Sequence, residues 1–556
     1  MNDKRAVLAA AGDHHALVLS SFMLFMVVAL FGSVFAGLNG DAPKEFYIGD
    51  RQSSAWKNGL ALAGCYVSTS LLLSVTGVVA TIGFDGITTT TNVLLSLGVL
   101  LLLVRPVQLS GALTLGDLFT LRAPGIAPRV AAAVTVLVVT APLLVAQLIA
   151  AGSVTAALLG FSGLGIQQMC AVLIGGLVVT CGMLSGAKGI TVVQVLAAVI
   201  TLTAMIFASV AVLRLFHGDV DSLIASADAH STRPGRYLNS GGLFNTGGTP
   251  HLDFAAGQVM TILGGACMPH VLNRVAAAKD TATARRSVRY AAGVVAFVCV
   301  TVVILGFGAS ARVGAHTILG AQSNADDSLM LLAGSLEGGL GAGLGRLLFT
   351  ALACAIFLSV LAVVGSITLA AAGTLARDAY HHLVQHRRSD PARELMVARV
   401  AVLLFGSLGI LLTVVSQGHS AALLAQFATS VAASTVAPVL IYTFYWDRFN
   451  RTGLLWTVYG GIILSVGLQV SSPSASGGPQ AFLPNSDIAW FDHPTPVLVS
   501  VPAAFLLGWA GSLVGRRRAQ RHQAEGTSTT STVLLIGRTA AAPVSTAPTA
   551  VRRAVE

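Results

Sequence analysis

"GLALAGCYVSTSLLLSVTG" (59–77) is the stretch whose reading decides the fold. It is apolar enough to cross a bilayer, yet Gly64, Cys65, Tyr66, Ser68, Thr69 and Ser70 collect in its middle. Small and polar residues at that depth have two physical readings. They let neighbouring helices pack closely, or they mark a helix broken so that its backbone can hold a ligand. For this segment alone both readings stand, and its surroundings must decide.

The surroundings are membrane-like. Of 556 residues 54% are hydrophobic and 10% charged, with mean hydropathy +0.78, where soluble chains carry about 25% charged residues. Apolar runs of about 20 residues recur along the chain, which predicts spanning α-helices; barrel strands are about half that length. About 13 spans are expected, near 17–36, 58–81, 88–104, 130–160, 166–185, 190–216, 253–273, 290–311, 347–375, 398–416, 421–445, 453–471 and 494–515. The fold class is an all-α polytopic membrane protein.

The net charge of +10 raises nucleic acid as a partner, but its distribution excludes that reading. Alternate loops from 37–57 onward, with the C-terminal tail, hold 26 of the 33 basic residues. The positive-inside rule then places the N-terminus outside and the C-terminus in the cytoplasm, with anionic lipid headgroups as partners of the basic loops. Lys4 and Arg5 precede the first run, as in a signal peptide. The run from Ala16 to Ala36 is long for one, and cleavage would invert every later loop against the charge count. Cys65, Cys170, Cys181, Cys267, Cys299 and Cys354 all fall in spans without CxxC spacing, so neither disulfides nor zinc is implied. "HHLVQHRR" (381–388) and "RHQAEG" (521–526) read as solvated loop and tail rather than metal sites.

The polar, Gly-rich loop 217–252 divides the spans. Five precede it after the first helix and five follow, ending near 445. An odd number per group makes the second group enter from the opposite side, the arithmetic of an inverted repeat. The segment that opens the second group, "ILGGACMPH" (262–270), is interrupted like "LAGCYVSTS" (62–70) and adds Pro269. Paired interruptions favour a binding site between two discontinuous helices over simple packing. The chain thus divides into 1–57 (external N-terminus, first helix, cytoplasmic loop), 58–216 and 253–445 (two five-helix repeats), 217–252 (external loop), 446–515 (two peripheral helices) and 516–556 (a basic tail, disordered by its Ala/Thr/Ser/Pro content).

"FYIGDR…WKNGLALAGCYVSTSLLLSVTGVVATIGFDG" (46–86) resembles the start of the sodium:solute symporter family, closest to its acetate-permease, or cation:monocarboxylate, branch. "LLVAQLIAAG" (143–152), "GGACMPHVLNRVAAAKDTATARRSVRYAAG" (264–293) and "LAVVGSITLAAAGTLARDAY" (361–380) follow in the same order, so the resemblance covers about 40–470. It implies a LeuT-like fold, and symport of a small organic anion with Na⁺ or H⁺ by alternating access, without a cofactor. Its second sodium site carries over to the carbonyls of Gly64, Val67 and Ser359. The two hydroxyl positions fall on Ala362 and Val363, which have none. Ser366, Thr368 or water would have to substitute. Cys65 stands where this branch often has Asp.

Candidate substrate contacts are Tyr66, Ser68 and Thr69 of the first break, Gln147 of the third core helix, and Gly264 and Gly265 of the second break. Gln147 is either a ligand or an interhelical hydrogen bond. A break frees carbonyls for a cation and presents N–H groups to a carboxylate without any charged side chain. His270 is the candidate proton carrier, its bland alternative a structural cap at the cytoplasmic end of its helix near Arg274. Other solutes (amino acid, sugar or vitamin) and a transporter-fold sensor are the competing functions. A channel is disfavoured by the paired breaks. A membrane enzyme lacks paired acids or an activated nucleophile, and the phosphate-binding loop that ATP-driven transport needs does not occur in the sequence.

Overall fold

In the computed structural model the described residues are 15–537 except 38–42, 50–52, 160, 162, 243–249, 321–324, 341, 385–389, 418, 477–480, 482–485 and 487. Their architecture is helical throughout the spans. Ten helices are long and apolar enough to cross a bilayer, and a bent pair, Ala55–Tyr66 with Ser70–Ile82, makes an eleventh. An N-terminal helix, His15–Gly37, packs along Leu164–Leu215.

Leu164–Leu215 carries 52 residues in one run, about 78 Å if straight at ~1.5 Å per residue, against an apolar core of about 30 Å. Gly186 interrupts it at φ 54°, ψ −162°, between the spans expected at 166–185 and 190–216. Phe46 packs where a Cβ of Gly186 would point, so a side chain there is opposed both by the backbone and by space.

The opening stretch is broken. Ala55–Tyr66 ends at Val67 (φ −77°, ψ 70°), whose N–H bonds the Ala63 carbonyl at 2.8 Å. The chain resumes with a π-helical turn at Ser70–Val75 and continues as Thr76–Ile82, bent 62° from its first half. Gly83 ends it at φ 75°, where a Cβ would sit 2.3 Å from the Tyr237 carbonyl. The second interrupted helix has Pro250–Val259, a π turn at Met260–Gly264, then a break before Pro269–Ala276. It runs on as one span, His251–Ala276, without a comparable bend.

Several elements are absent from the apolar pattern. Short helices Pro43–Ile48, Leu115–Phe119, Val220–Ala229, Ala315–Leu319 and Ser328–Leu340 lie in the connections. The last helix, Val497–Gly537, runs past its apolar span into the stretch expected to be disordered. "RRRAQRHQAE" (516–525) is rich in strong helix formers, so the helix continues without apolar periodicity.

One polar clamp ties the core together at the side the charge count assigns to the cytoplasm. Arg129 pairs with Asp117 at 3.0 Å and Asp378 at 2.7 Å, Arg377 pairs with Asp117 at 3.1 Å, and Thr114 donates to Asp378 at 3.0 Å. Burial works to raise the Asp117 pKa, but Arg377, the Leu113 amide and Arg129 together hold it below the usual carboxylate range.

Candidate functional site

Two polar clusters meet at the breaks. The first joins the broken helix to Ile126–Leu158, which carries Gln147, fully buried. Thr69 donates its hydroxyl to Gln147 Oε1 at 2.8 Å, and its backbone N–H reaches the same oxygen at 3.4 Å. This fixes the amide's orientation. Gln147 Nε2 is left buried without a partner among the described residues. A buried amide donor left unmade is costly, about 1–3 kcal/mol, and it is a ready group for an acceptor such as a carboxylate.

Tyr66 links the two breaks. Its hydroxyl donates to the Gly265 carbonyl at 3.2 Å and accepts from Ser96 at 3.5 Å. Gly264 lies against Thr429: a Cβ would sit 2.2 Å from that carbonyl. At Gly265 the nearest atoms, in the Ser96 side chain, are 3.2 Å away. Ser68 instead serves its own turn, accepting from the Leu71 N–H at 3.4 Å.

The second cluster lies one turn earlier. Gln194 Nε2 donates to Ser366 Oγ at 2.6 Å and contacts Cys65 Sγ at 3.0 Å. A Cβ on Gly64 would sit 2.5 Å from the Gln194 carbonyl. Arg274 donates to Thr191 Oγ1 at 2.7 Å and reaches the Cys65 thiol. His270 is buried in the first turn of Pro269–Ala276, with Nδ1 unpartnered among the described residues. The far end of that helix, where Arg274 sits, is closed by backbone, Ala277 N–H to the Asn273 carbonyl at 3.0 Å.

Of the oxygens expected to hold sodium, the Val67 carbonyl accepts the Ser359 hydroxyl. Ala362 and Val363 are buried, and their side chains carry no oxygen. Ser366 donates to the Ala362 carbonyl at 2.5 Å and Thr368 to that of Val364 at 2.9 Å, so both substitute hydroxyls serve their own helix. The donor set is thin for a small hard cation. Among the described residues no group of three or more His, Cys, Asp or Glu could hold a metal ion.

Sequence reasoning missed Gln194, Ser96, Thr429 and Asp326. Gln194 carries the signal that found Gln147, an amide inside an apolar span. The others had none: their roles depend on which helix lies opposite. Asp326 sits partly exposed before Ser328–Leu340 and interacts with Ser74 of the π turn. Burial pushes its carboxyl up to about 7, with Asp327 adding to the rise.

The sodium:solute symporter family model matches residues 46–461. The chain belongs to the sodium:solute symporter family. Among relatives, a monocarboxylic acid transporter of Corynebacterium glutamicum is 31% identical over 512 residues, covering 90% of this chain and 92% of its own. An uncharacterised symporter of Bacillus subtilis, YwcA, is 29% identical over 504 residues, covering 89% and 94%. Two solved structures share the fold. A Na⁺-coupled sialic acid symporter, substrate-bound and outward-open, matches with TM-score 0.66 at 14% identity, over 89% of this chain and 98% of that one. The nucleobase-cation-symport-1 transporter Mhp1, closed with bromovinylhydantoin bound, matches with TM-score 0.50 at 14% identity, over 88% and 96%. The fold is therefore LeuT-like, and this family member is a multi-pass membrane transporter, not an enzyme, that couples a small solute to a cation.

Proposed function

We propose that the protein imports short monocarboxylates such as acetate by alternating access. The observation that carries this is Gln147: Thr69 holds its oxygen and leaves its N–H₂ free beside the first break. An apolar surround with one oriented amide suits a small carboxylate carrying an alkyl tail. The monocarboxylic acid transporter among its relatives supports the same class. Proteoliposomes given labelled acetate, propionate or pyruvate, under separately imposed Na⁺ and pH gradients, test it. We expect saturable uptake of at least one acid, lost in Gln147→Leu. Uptake of none of them would sink the reading, and competition by a sugar or amino acid would redirect it.

The coupling ion is read as H⁺. The Val67–Ser359 hydrogen bond and the apolar Ala362 and Val363 favour it over Na⁺. His270 is the protein group to carry the proton, although a carboxylic acid can bring its own. Uptake that saturates with Na⁺ and ignores the pH gradient would reverse this choice.

Counting His15–Gly37 and both halves of Leu164–Leu215 as spans supports a reading of thirteen crossings, and the basic loops support the N-terminus outside. Single cysteines in 217–252 should then label from outside intact cells and those in 274–289 should not; the opposite pattern inverts the topology.

A further inference from the structure

Beyond the Gln147 site lies a cavity of about 200 Å³ lined by Ser53, Lys57, Asn58, Lys188, Thr191 and Arg274, among others. None of the residues lining it is acidic. Lys188 is already paired with Glu45 at 2.7 Å. Lys57 stands exposed at its edge. Arg274 is 8% exposed, and among the described residues no carboxylate pairs with it. A guanidinium cannot shed its charge, and a buried charge without a counter-charge is expensive.

Arg274 also lines a second, smaller cavity with Gln194, His270 and Ser366. It therefore stands between the polar cluster under the first break and the wider vestibule. Its hydrogen bond to Thr191 Oγ1 and its reach to Cys65 hold the guanidinium across that passage. Asn58 donates to the Arg274 carbonyl at 3.5 Å, tying the start of the first broken helix to the end of the second.

We propose that this vestibule is an inner station for the carboxylate of the transported acid, held by Arg274 with Lys57 at its mouth, after it leaves Gln147 and before it enters the cytoplasm. The inference rests on the monocarboxylate reading above for its ligand. The volume accepts an anion of four heavy atoms with a few waters, each taking about 30 Å³, and a planar guanidinium matches a carboxylate bidentately. The station is one-sided: it serves the acid from the cytoplasmic face.

The test uses the full chain in sided membrane vesicles and purified in detergent. Arg274→Gln should raise the half-saturating acetate concentration at the cytoplasmic face by about tenfold or more, the worth of a charge-assisted hydrogen bond, with less than about twofold change at the external face. Arg274→Lys should recover part of the loss. In detergent, acetate should raise the melting temperature of a Gln147→Leu background, and Arg274→Gln should remove that rise. An equal change at both faces, or no change at either while uptake persists, would overturn the station and leave the transport reading standing. No uptake by the wild type, with Arg274-dependent stabilisation by acetate intact, would remove the transport reading and leave the anion site. Equal stabilisation by chloride would make this a halide site and overturn the proposal. Asp50, two residues after Ile48, lies outside the described residues. If Asp50→Asn alone mimics Arg274→Gln and the double variant adds nothing, Asp50 is the counter-charge and the proposal fails.

Discussion

At the scale of residues, the candidate site gathers groups whose hydrogen bonding is incomplete, Gln147 and His270 among them. Gln147 was legible because an amide inside an apolar span must be satisfied by something, and its partner Thr69 fell in the other stretch singled out. Val67 and Ser359 were also legible as neighbours, but not as partners of one another. Asp326 was not legible, since a carboxylate in a polar connection looks like solvated surface. Its contact with Ser74 and its carboxyl pushed up to about 7 predict that the seating of this connection on the π turn depends on pH. The seated form prefers the protonated acid, so seating is strongest at low pH and weakens as pH rises from the ordinary carboxylate value toward 7. A cysteine placed at Ala325, whose carbonyl closes on Gly77, reports this. The ratio of its labelling rate with Asp326 to that with Asp326→Asn should rise from about pH 5 to about pH 8. An equal ratio at both pH values would show that Asp326 does not control the contact.

At the scale of elements, both breaks were visible as Gly and small-residue clusters, but they differ in form. The first bends by 62° while the second continues as one span, a difference set by what packs across each. The two glycines of the second break are also unequal. Gly264 faces the Thr429 carbonyl at 2.2 Å from a would-be Cβ, backbone that cannot yield; Gly265 faces a movable Ser96 side chain at 3.2 Å. Gly264→Ala should therefore lower stability by about 1–3 kcal/mol through overpacking and abolish uptake. Gly98→Ala, with nothing within 4 Å, should be neutral or stabilise by about 0.5–1 kcal/mol. Melting curves in detergent with paired uptake assays compare them, and near-normal uptake by Gly264→Ala would show that the two helices can separate at no loss.

At the scale of the molecule, the clamp of Arg129, Asp117, Asp378 and Arg377 joins the start of the Gln147 helix to the end of the helix that carries Ser359. The Asp378 side chain is fully buried, so removing Arg129 leaves its carboxyl with Thr114 alone and free to shed its charge by taking up a proton. Arg129→Ala should cost about 1.5–3 kcal/mol of stability, the worth of a hydrogen bond to a charged group, read as a lowered melting temperature. Because Asp117 is held below its ordinary range, its stabilising contribution is complete above that range and is lost as pH falls through the depressed folded value. A loss under about 1 kcal/mol in Arg129→Ala would mean the clamp is solvated like a surface pair.

The sequence by itself determined the class, most of the apolar spans and the two interrupted helices. Those follow from hydropathy over windows as long as the bilayer is thick, and from glycine and proline acting on their own backbone. Even the Gly186 interruption showed, as the gap between two expected spans. The tertiary structure alone decided that Ser359 bonds Val67, that Gln194 joins Cys65 to Ser366, and that Asp326 meets Ser74. Ser359 and Val67 lie 292 residues apart in the chain, and apolar periodicity fixes which face of a helix turns inward without naming the residue it meets there. The unpaired Arg274 belongs with these. As sequence it was one more basic residue at a helix end; burial beside a cavity is what makes its charge ask for an anion.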